Sequence, residues 1–425
     1  MSLDLKAVRG MNDILPADST RWRQLESDIV AVLDAYGYKE VRLPLVELSS
    51  VFTRSIGDAT DIVQKEMYTF EDRNGDMLTL RPEGTAGCVR AVLQHGLLQQ
   101  LPLRLWYCGP MFRHERPQRG RQRQFHQVGV EVFGVEGPDI DAELILMTAR
   151  LWRSLGLSGL RLEINSLGTP AARAVYRDVL ADYLRAHSSH LDADSLARLE
   201  RNPLRVLDSK NPEMAALIAA APSLETHLDD ESRRHFDDLC HILEENRIDF
   251  VVNPRLVRGL DYYSRTVFEW ITTELGAQGT VCAGGRYDGL VELMGGKAVP
   301  AVGFAMGLER LLELRDQTKG IAVPSSPAIY VMAAEAALDR PALSFAERLR
   351  TAHPEWRVVS HVGAGSMKSR MKKADRSGAR VALILGSEEQ AAGTIALKPL
   401  RSDAAQEICA QDVVAASLAK HLADV

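Results

Sequence analysis

Residues 107–127 read YCGPMFRHERPQRGRQRQFHQ, and the fold turns on how this stretch pairs with itself. Five arginines, Arg113, Arg116, Arg119, Arg121 and Arg123, fall within eleven residues of a chain whose net charge is −6. Residues 104–115 and 124–133 read as two strands, with the arginines concentrated in the loop between them. Side chains alternate along an extended strand, so Arg113 and Glu115 share one side of the outgoing strand, and Phe125, Gln127 and Glu131 one side of the return. If the hairpin brings those sides together, one surface carries a guanidinium, an aromatic plate, an amide and a carboxylate. A guanidinium fork can neutralise a phosphate through two hydrogen bonds, and an aromatic face can stack on a purine. Taken alone, the same charge run also fits a solvated hairpin whose arginines keep a sheet edge from pairing.

Composition bounds the rest. With 425 residues, 46% hydrophobic and 25% charged, the chain is an ordinary globular one of two to three domains. Fifty-one basic against 57 acidic residues exclude a generally basic nucleic-acid coat, so a polyanion has to be met by local patches. The five cysteines, Cys88, Cys108, Cys240, Cys282 and Cys409, are far apart with no C-x-x-C pair, which suggests neither a disulfide framework nor a cysteine zinc site. Nor do the histidines show a metal-ligand spacing. The N-terminus is polar and no apolar run approaches the ~20 residues of a membrane span, which points to a reducing cytoplasm and no membrane partner.

Moving outward from the hairpin, residues 18–36 form an amphipathic helical pattern closed by Gly37, and EVRLPLVEL (40–48) reads as a strand. Residues 66–83 read as a hairpin turning at Asn74-Gly75, followed by a helix in TAGCVRAVLQHGLL. Residues 168–245 are helical, charged and weakly β-forming, as in a helical insertion within a β-rich domain. Strand signals return in YYSRTVFEWITTE, in the glycine-rich AGGRYDGL and in AVGFAMG, which runs into the helical LERLLEL. After the linker DQTKGIAVPSSP, strands AIYVMAAE, RVVSHV, RVALILG and TIALKPL alternate with helical stretches, the pattern of a small α/β domain.

Several of these stretches resemble the signatures of the class II aminoacyl-tRNA synthetases. YCGPMFRHERPQRGRQRQFHQ is similar to the second, AVGFAMGLERL to the third, and YGYKEVRLPLVEL, with Pro44, to the first. LVRGLDYYSRTVFEW (256–270) and AGGRYDGL (283–290) resemble the two signatures peculiar to the histidyl-tRNA synthetase family, bacterial type. RGMNDILP, INSLG and NPLRVLDSK extend the likeness over nearly the whole chain. The resemblance implies an α+β fold: an antiparallel-sheet class II catalytic core over residues 1–325 with a helical insertion at about 168–245, then a C-terminal α/β anticodon-binding domain over 326–425.

It also implies a reaction, the activation of L-histidine by ATP with Mg2+ and transfer to the terminal adenosine of tRNA(His), by a homodimer joined through the first motif. Arg113 and Arg258 would act at the α-phosphate, Glu115 and Phe125 would hold adenine, and Arg121 and Arg310 would reach the triphosphate. Glu131 and Tyr263 would bond the imidazole, and Glu83, Thr85, Gln127 and Tyr287 the α-amino group. Tyr262 joins this histidine-binding set, although ordinary packing in a β core is the plainer reading for one of the three tyrosines. The remaining loop residues Arg116, Gln118, Arg119 and Arg123 would meet the acceptor end of the tRNA. A second basic cluster, SMKSRMKKADRSGAR, offers Lys368, Lys372 and Lys373, with Arg370, Arg376 and Arg380, to the anticodon end. Two rivals are weighed against this set: a non-catalytic paralogue regulating ATP phosphoribosyltransferase, which would lack the C-terminal domain and degrade LVRGLDYY, and a class II enzyme for proline or threonine. The C-terminal domain and an intact LVRGLDYY speak against the first, and the paired signatures LVRGLDYY and AGGRYDGL against the second.

Overall fold

The structure, a computed structural model, describes residues 5–57, 60–118, 120–207, 209, 211–276, 279–317 and 328–422. The chain divides into two compact units, Met1–Ile321 and Ala322–Val425. In the first, helix α1 (Pro16–Ala35) is followed by β1 (Lys39–Glu40), β2 (Val46–Leu48), α2 (Ser49–Ile56), β3 (Tyr68–Glu71), β4 (Met77–Leu80) and α3 (Thr85–Gln94). Strands β5 (Leu103–Phe112) and β6 (Gln124–Phe133) flank the arginine-rich loop, and α4 (Pro138–Ser154) and β7 (Arg161–Ser166) come next. Helices α5 (Pro170–Ala186), α6 (Ala193–Arg201), α7 (Ala215–Ala219) and α8 (Asp230–Glu245) precede β8 (Phe250–Val252), β9 (Ser264–Ile271) and β10 (Thr280–Arg286). The short α9 (Leu290–Leu293), β11 (Ala301–Gly307) and α10 (Leu308–Gln317) complete the unit.

Eight strands form one sheet in the order β1-β5-β6-β11-β10-β9-β7-β8, antiparallel except for the parallel pairs at its two ends. The alternation along β6 makes the two faces different. Val128, Val130 and Val132 enter an apolar core with Leu25 and Ile29 of α1, Leu144 and Ile145 of α4, and Leu311 of α10. Each such fully buried side chain contributes about 1.5–3 kcal/mol, so the helix-covered face makes a rigid floor. Phe125, Gln127 and Glu131, one residue out of step, face the other side.

Two sequence expectations are corrected. The outgoing strand ends at Phe112, not at 115: Arg113 N still donates to Arg123 O at 2.9 Å, but His114 N turns away to Glu66 O at 2.7 Å. EVRLPLVEL is two strands, not one. Its start pairs in parallel with β5, while Val46–Leu48 joins the separate three-stranded sheet β2-β4-β3; Pro44, which has no N–H to give a ladder, lies between them. Within the helical stretch 168–245, α8 packs differently from α5. Its Leu239 and Leu243, four residues apart on one helical face, are buried in the same core as α4, whereas Tyr176, Leu180 and Leu184 of α5 pack with Leu256 and Tyr262 on the opposite side.

The second unit runs β12 (Ala328–Ala333), α11 (Asp339–Ala352), β13 (Arg357–Ser360), α12 (Met367–Arg376), β14 (Val381–Leu385), α13 (Ser387–Ala392), β15 (Thr394–Pro399), β16 (Glu407–Ala410) and α14 (Val414–Leu422). Its sheet order is β13-β12-β14-β15-β16, the first three parallel and the last two antiparallel. Alternate residues of β12 and β14 fill two apolar layers, Ile329, Val331 and Leu383 against α11 and α14, and Tyr330, Met332 and Ala382 against α12. Among the described residues no helix is long and apolar enough to cross a membrane.

Candidate active site

On the open face of the eight-stranded sheet lies a cavity of about 650 Å³. At its carboxylate end Glu131, 1% exposed, accepts hydrogen bonds from Thr85 Oγ1 at 2.7 Å, from Tyr107 OH at 2.9 Å, and from Tyr287 OH. Burial pushes the Glu131 carboxyl up to about 8 in spite of these donors. Close packing fixes it in place: Glu131 pairs in register with Gly303, and a Cβ there would overlap its carboxylate. The ring of Tyr107 fills the space that side chains at Gly84 and Gly129 would take.

Glu83, also buried and also raised by burial, accepts from Thr85 N at 2.7 Å and Ala86 N at 2.9 Å, so its carboxylate caps the start of α3. Tyr262 lies with its ring centroid 4.8 Å from that of Tyr263 and 5.6 Å from that of Tyr287, all three buried and lining the cavity with Gln127.

The other end is cationic. Arg113 donates through Nε to Pro82 O at 2.9 Å and its guanidinium lies 5.3 Å from the centroid of Phe125. Arg121 is ion-paired with Glu115. Arg310 donates to Gly120 O at 3.1 Å and to Thr280 O. Arg258 is ion-paired with Glu269 and lies 5.7 Å from the centroid of Tyr263, and its buried Nε has no hydrogen-bond partner among the described residues. Burial, and the neighbouring Arg121 after it, holds the Arg310 guanidinium below its ordinary range, the condition of a cation that gains from an added anion. These four are among the five arginines that line the cavity, Arg255 being the other; guanidiniums so gathered suit a polyphosphate, and the buried carboxylates suit an amine and a ring N–H.

Not every candidate reaches the cavity. Arg116 and Gln118 are exposed on the loop, where Gln118 exchanges backbone hydrogen bonds with Arg121. Arg123 is half-buried, its Nε donating inward to Glu115 O at 3.2 Å. Arg119 lies outside the described residues. On α12 of the second unit Lys368, Lys372 and Lys373 are exposed, but Arg370 is withdrawn from the basic face. It is 1% exposed, paired with Asp339, and donates to Ala333 O and Gly365 O, each at 3.1 Å.

Sequence reasoning missed two residues. Tyr107 opens the arginine stretch, but the glycines that make room for it are visible only once β5 is paired with β6. Glu269, which holds Arg258 and accepts from Thr280 Oγ1 at 3.0 Å, did leave a signal: a lone carboxylate in the apolar run TVFEWI.

The family model of histidyl-tRNA synthetase matches residues 10–311. The chain belongs to the histidyl-tRNA synthetase family. An anticodon binding domain model matches residues 328–420, the part that the regulatory paralogue would lack. The crystal structure of apo histidyl-tRNA synthetase from S. aureus is 32% identical with a TM-score of 0.81, covering 97% of this chain and 99% of that one. A histidyl-tRNA synthetase from Nostoc (21% identity, TM-score 0.70, 99% and 100% covered) shares the fold. So does a Bacillus halodurans protein described as an ATP phosphoribosyltransferase regulatory subunit/histidyl-tRNA synthetase (21%, TM-score 0.66, 91% and 100%). The chain is accordingly an aminoacyl-tRNA synthetase, with the class II antiparallel core, an anticodon-binding domain and the function of a histidine–tRNA ligase.

Proposed function

We propose that the cavity performs both steps of histidine–tRNA ligation, with ATP bound at the arginine end and histidine at the glutamate end. The observation that carries this is the joining, in one cavity, of four guanidiniums with a buried carboxylate held by three hydroxyls. In the first step a carboxylate oxygen of histidine bonds to the α-phosphorus of ATP and the bond to the bridging oxygen breaks, releasing pyrophosphate. Arg113 and Arg258 neutralise the charge that gathers on the α-phosphate oxygens, while Arg121 and Arg310 bind the departing phosphates. Phe125, already faced by a cation, stacks on adenine beside Glu115. Magnesium enters with the triphosphate and neutralises its oxygens.

Glu131 accepts a ring N–H of histidine, Tyr263 bonds the other nitrogen, and Glu83, Thr85, Gln127 and Tyr287 take the ammonium, with Tyr262 packed behind them. Such a site discriminates strongly, because an analogue without ring N–H groups leaves buried polar atoms unpaired. In the second step a hydroxyl of the terminal adenosine attacks the carbonyl carbon of the adenylate and AMP leaves. Arg116, Gln118, Arg119 and Arg123 guide the acceptor end, and Lys368, Lys372 and Lys373 of the second unit meet the anticodon end.

The catalytic domain is assigned to residues 1–325 and the anticodon-binding domain to 326–425. The working form is a cytoplasmic homodimer joined near the first motif, where Leu45 and Leu48 are 42% and 51% exposed. The test is exchange of labelled pyrophosphate into ATP by the purified protein. Exchange is expected with histidine and not with proline, threonine or no amino acid; correctly folded protein that exchanges with none of them would overturn the proposal.

A further inference from the structure

The stretch NPLRVLDSK (202–210) has no role in the reaction proposed above, yet two of its side chains grip the segment that carries Arg258 and Tyr263. Asn202 Nδ2 donates to Asp261 Oδ1 at 2.9 Å. Arg205 donates through Nη2 to Gly259 O and lies 3.9 Å from Asp261 Oδ1. From α5, on the same side of the sheet, Arg173 donates to Tyr263 O. Opposite them, Asp261 N donates to Ile56 O at 3.2 Å, and Gly57, at φ 98°, approaches so closely that a Cβ would overlap the Asp261 carboxylate. Val206 and Leu207 are buried in the apolar cluster that also holds Leu256, Tyr262 and Tyr263.

Residues 253–263 run between β8 and β9 in no strand or helix, so no ladder fixes their course. Over the second half of this segment, the carbonyls of Gly259 and Tyr263 and the Asp261 carboxylate are satisfied instead by these side chains. The gripped positions 259, 261 and 263 alternate along the segment and begin one residue beyond Arg258. Burial raises the Asp261 carboxyl and the cations of Arg205 and Arg173 oppose that rise, so the segment is electrostatically joined to α5 and to the turn that follows α6.

We propose that Asn202, Arg205 and Arg173 are positioning residues for the reaction. Acting through Asp261 and the carbonyls of Gly259 and Tyr263, they set where the Arg258 guanidinium and the Tyr263 ring stand against the substrates. This rests on the roles given above to Arg258 and Tyr263. A charge displaced by about 1 Å from its working position can cost on the order of a hundred-fold in rate, so a few hydrogen bonds are enough to matter.

The test uses the full chain and compares wild type with Arg205→Ala, Asn202→Ala and the conservative Arg205→Lys. Histidine-dependent pyrophosphate exchange and thermal unfolding are measured on each. Arg205→Ala is expected to lower kcat about ten-fold or more and to raise the KM for histidine, with the KM for ATP and the unfolding temperature close to wild type. Arg205→Lys, whose ammonium can still donate to Gly259 O, is expected to recover most of the loss.

Wild-type kcat in Arg205→Ala would overturn the proposal. So would losses that follow the unfolding temperature alone and are not relieved by lysine. Should Arg205→Ala fail to fold, Asn202→Ala decides: a lowered kcat at wild-type stability supports the proposal and an unchanged kcat overturns it. Absence of exchange in the wild type would instead strike the proposed function, so the two failures are told apart.

Discussion

Glu131 is buried and bound by three hydroxyls, which makes it sensitive to both substitution and pH. An amide at that position offers one acceptor oxygen and turns an N–H₂ toward groups that are themselves donors. Glu131→Gln is therefore expected to cut histidine-dependent exchange by about a hundred-fold or more, read as kcat/KM. The pH dependence of stability follows from the carboxyl being raised from 4.5 to about 8 on folding. Between those values the folded protein holds a proton that the unfolded chain releases, so stability is fully present below pH 4.5 and falls as pH rises toward 8. Thermal unfolding of the ligand-free protein from pH 5 to pH 8 should show this decline, and Glu131→Gln should flatten it. Arg258, whose Nε has no hydrogen-bond partner among the described residues, behaves differently: Arg258→Ala should slow single-turnover adenylation by on the order of 10²–10³ and leave histidine binding within a few-fold. An unchanged single-turnover rate would remove Arg258 from the chemical step.

At the scale of the elements, the hairpin β5–β6 carries the site because glycine stands where a side chain would meet Tyr107 or Glu131. Gly129→Ala puts a Cβ within the Tyr107 ring and must either move the ring off Glu131 or open the strand pair. Overpacking of this kind costs about 1–3 kcal/mol, and the loss of the Tyr107 hydrogen bond should raise the KM for histidine more than that for ATP. Calorimetry and exchange kinetics on this variant check both. The same hairpin shows what could be read in advance. Alternation alone assigned Phe125, Gln127 and Glu131 to one face, because a period of two is a local property of the chain. It carried the outgoing strand too far, since His114 leaves the ladder for a backbone carbonyl at Glu66, a contact that no local pattern encodes. Tyr107 was missed because its role comes from partners across the sheet, and Glu269 because a lone carboxylate in an apolar run does not say which cation it meets. Arg370 was misjudged because a basic run on a helix looks alike on both faces until the helix is packed.

At the scale of the whole molecule, α12 divides one basic cluster between the surface and the interior, and the division separates the proposed tRNA contact from stability. Lys368, Lys372 and Lys373 are exposed and bring charge to the surface, while Arg370, four residues before the buried Ala374, holds the helix to Asp339 and to the end of β12. Reversing the three lysines to glutamate should raise the KM for tRNA(His) about ten-fold or more and lower the salt slope of tRNA binding by about one per lost phosphate contact. Pyrophosphate exchange, which involves no tRNA, should be unchanged. Arg370→Leu should do the reverse of a surface change. It leaves the buried Ala333 carbonyl without its donor and the half-exposed Asp339 without its partner, a loss of about 1–3 kcal/mol, and should unfold the second unit at a lower temperature. Because the cavity is built wholly from residues of the first unit, exchange should persist in Arg370→Leu below the unfolding transition of that unit while aminoacylation is lost. If exchange and aminoacylation fell together at one temperature, the two units would be sharing their stability, and the basic helix could not be assigned to tRNA from the aminoacylation defect alone.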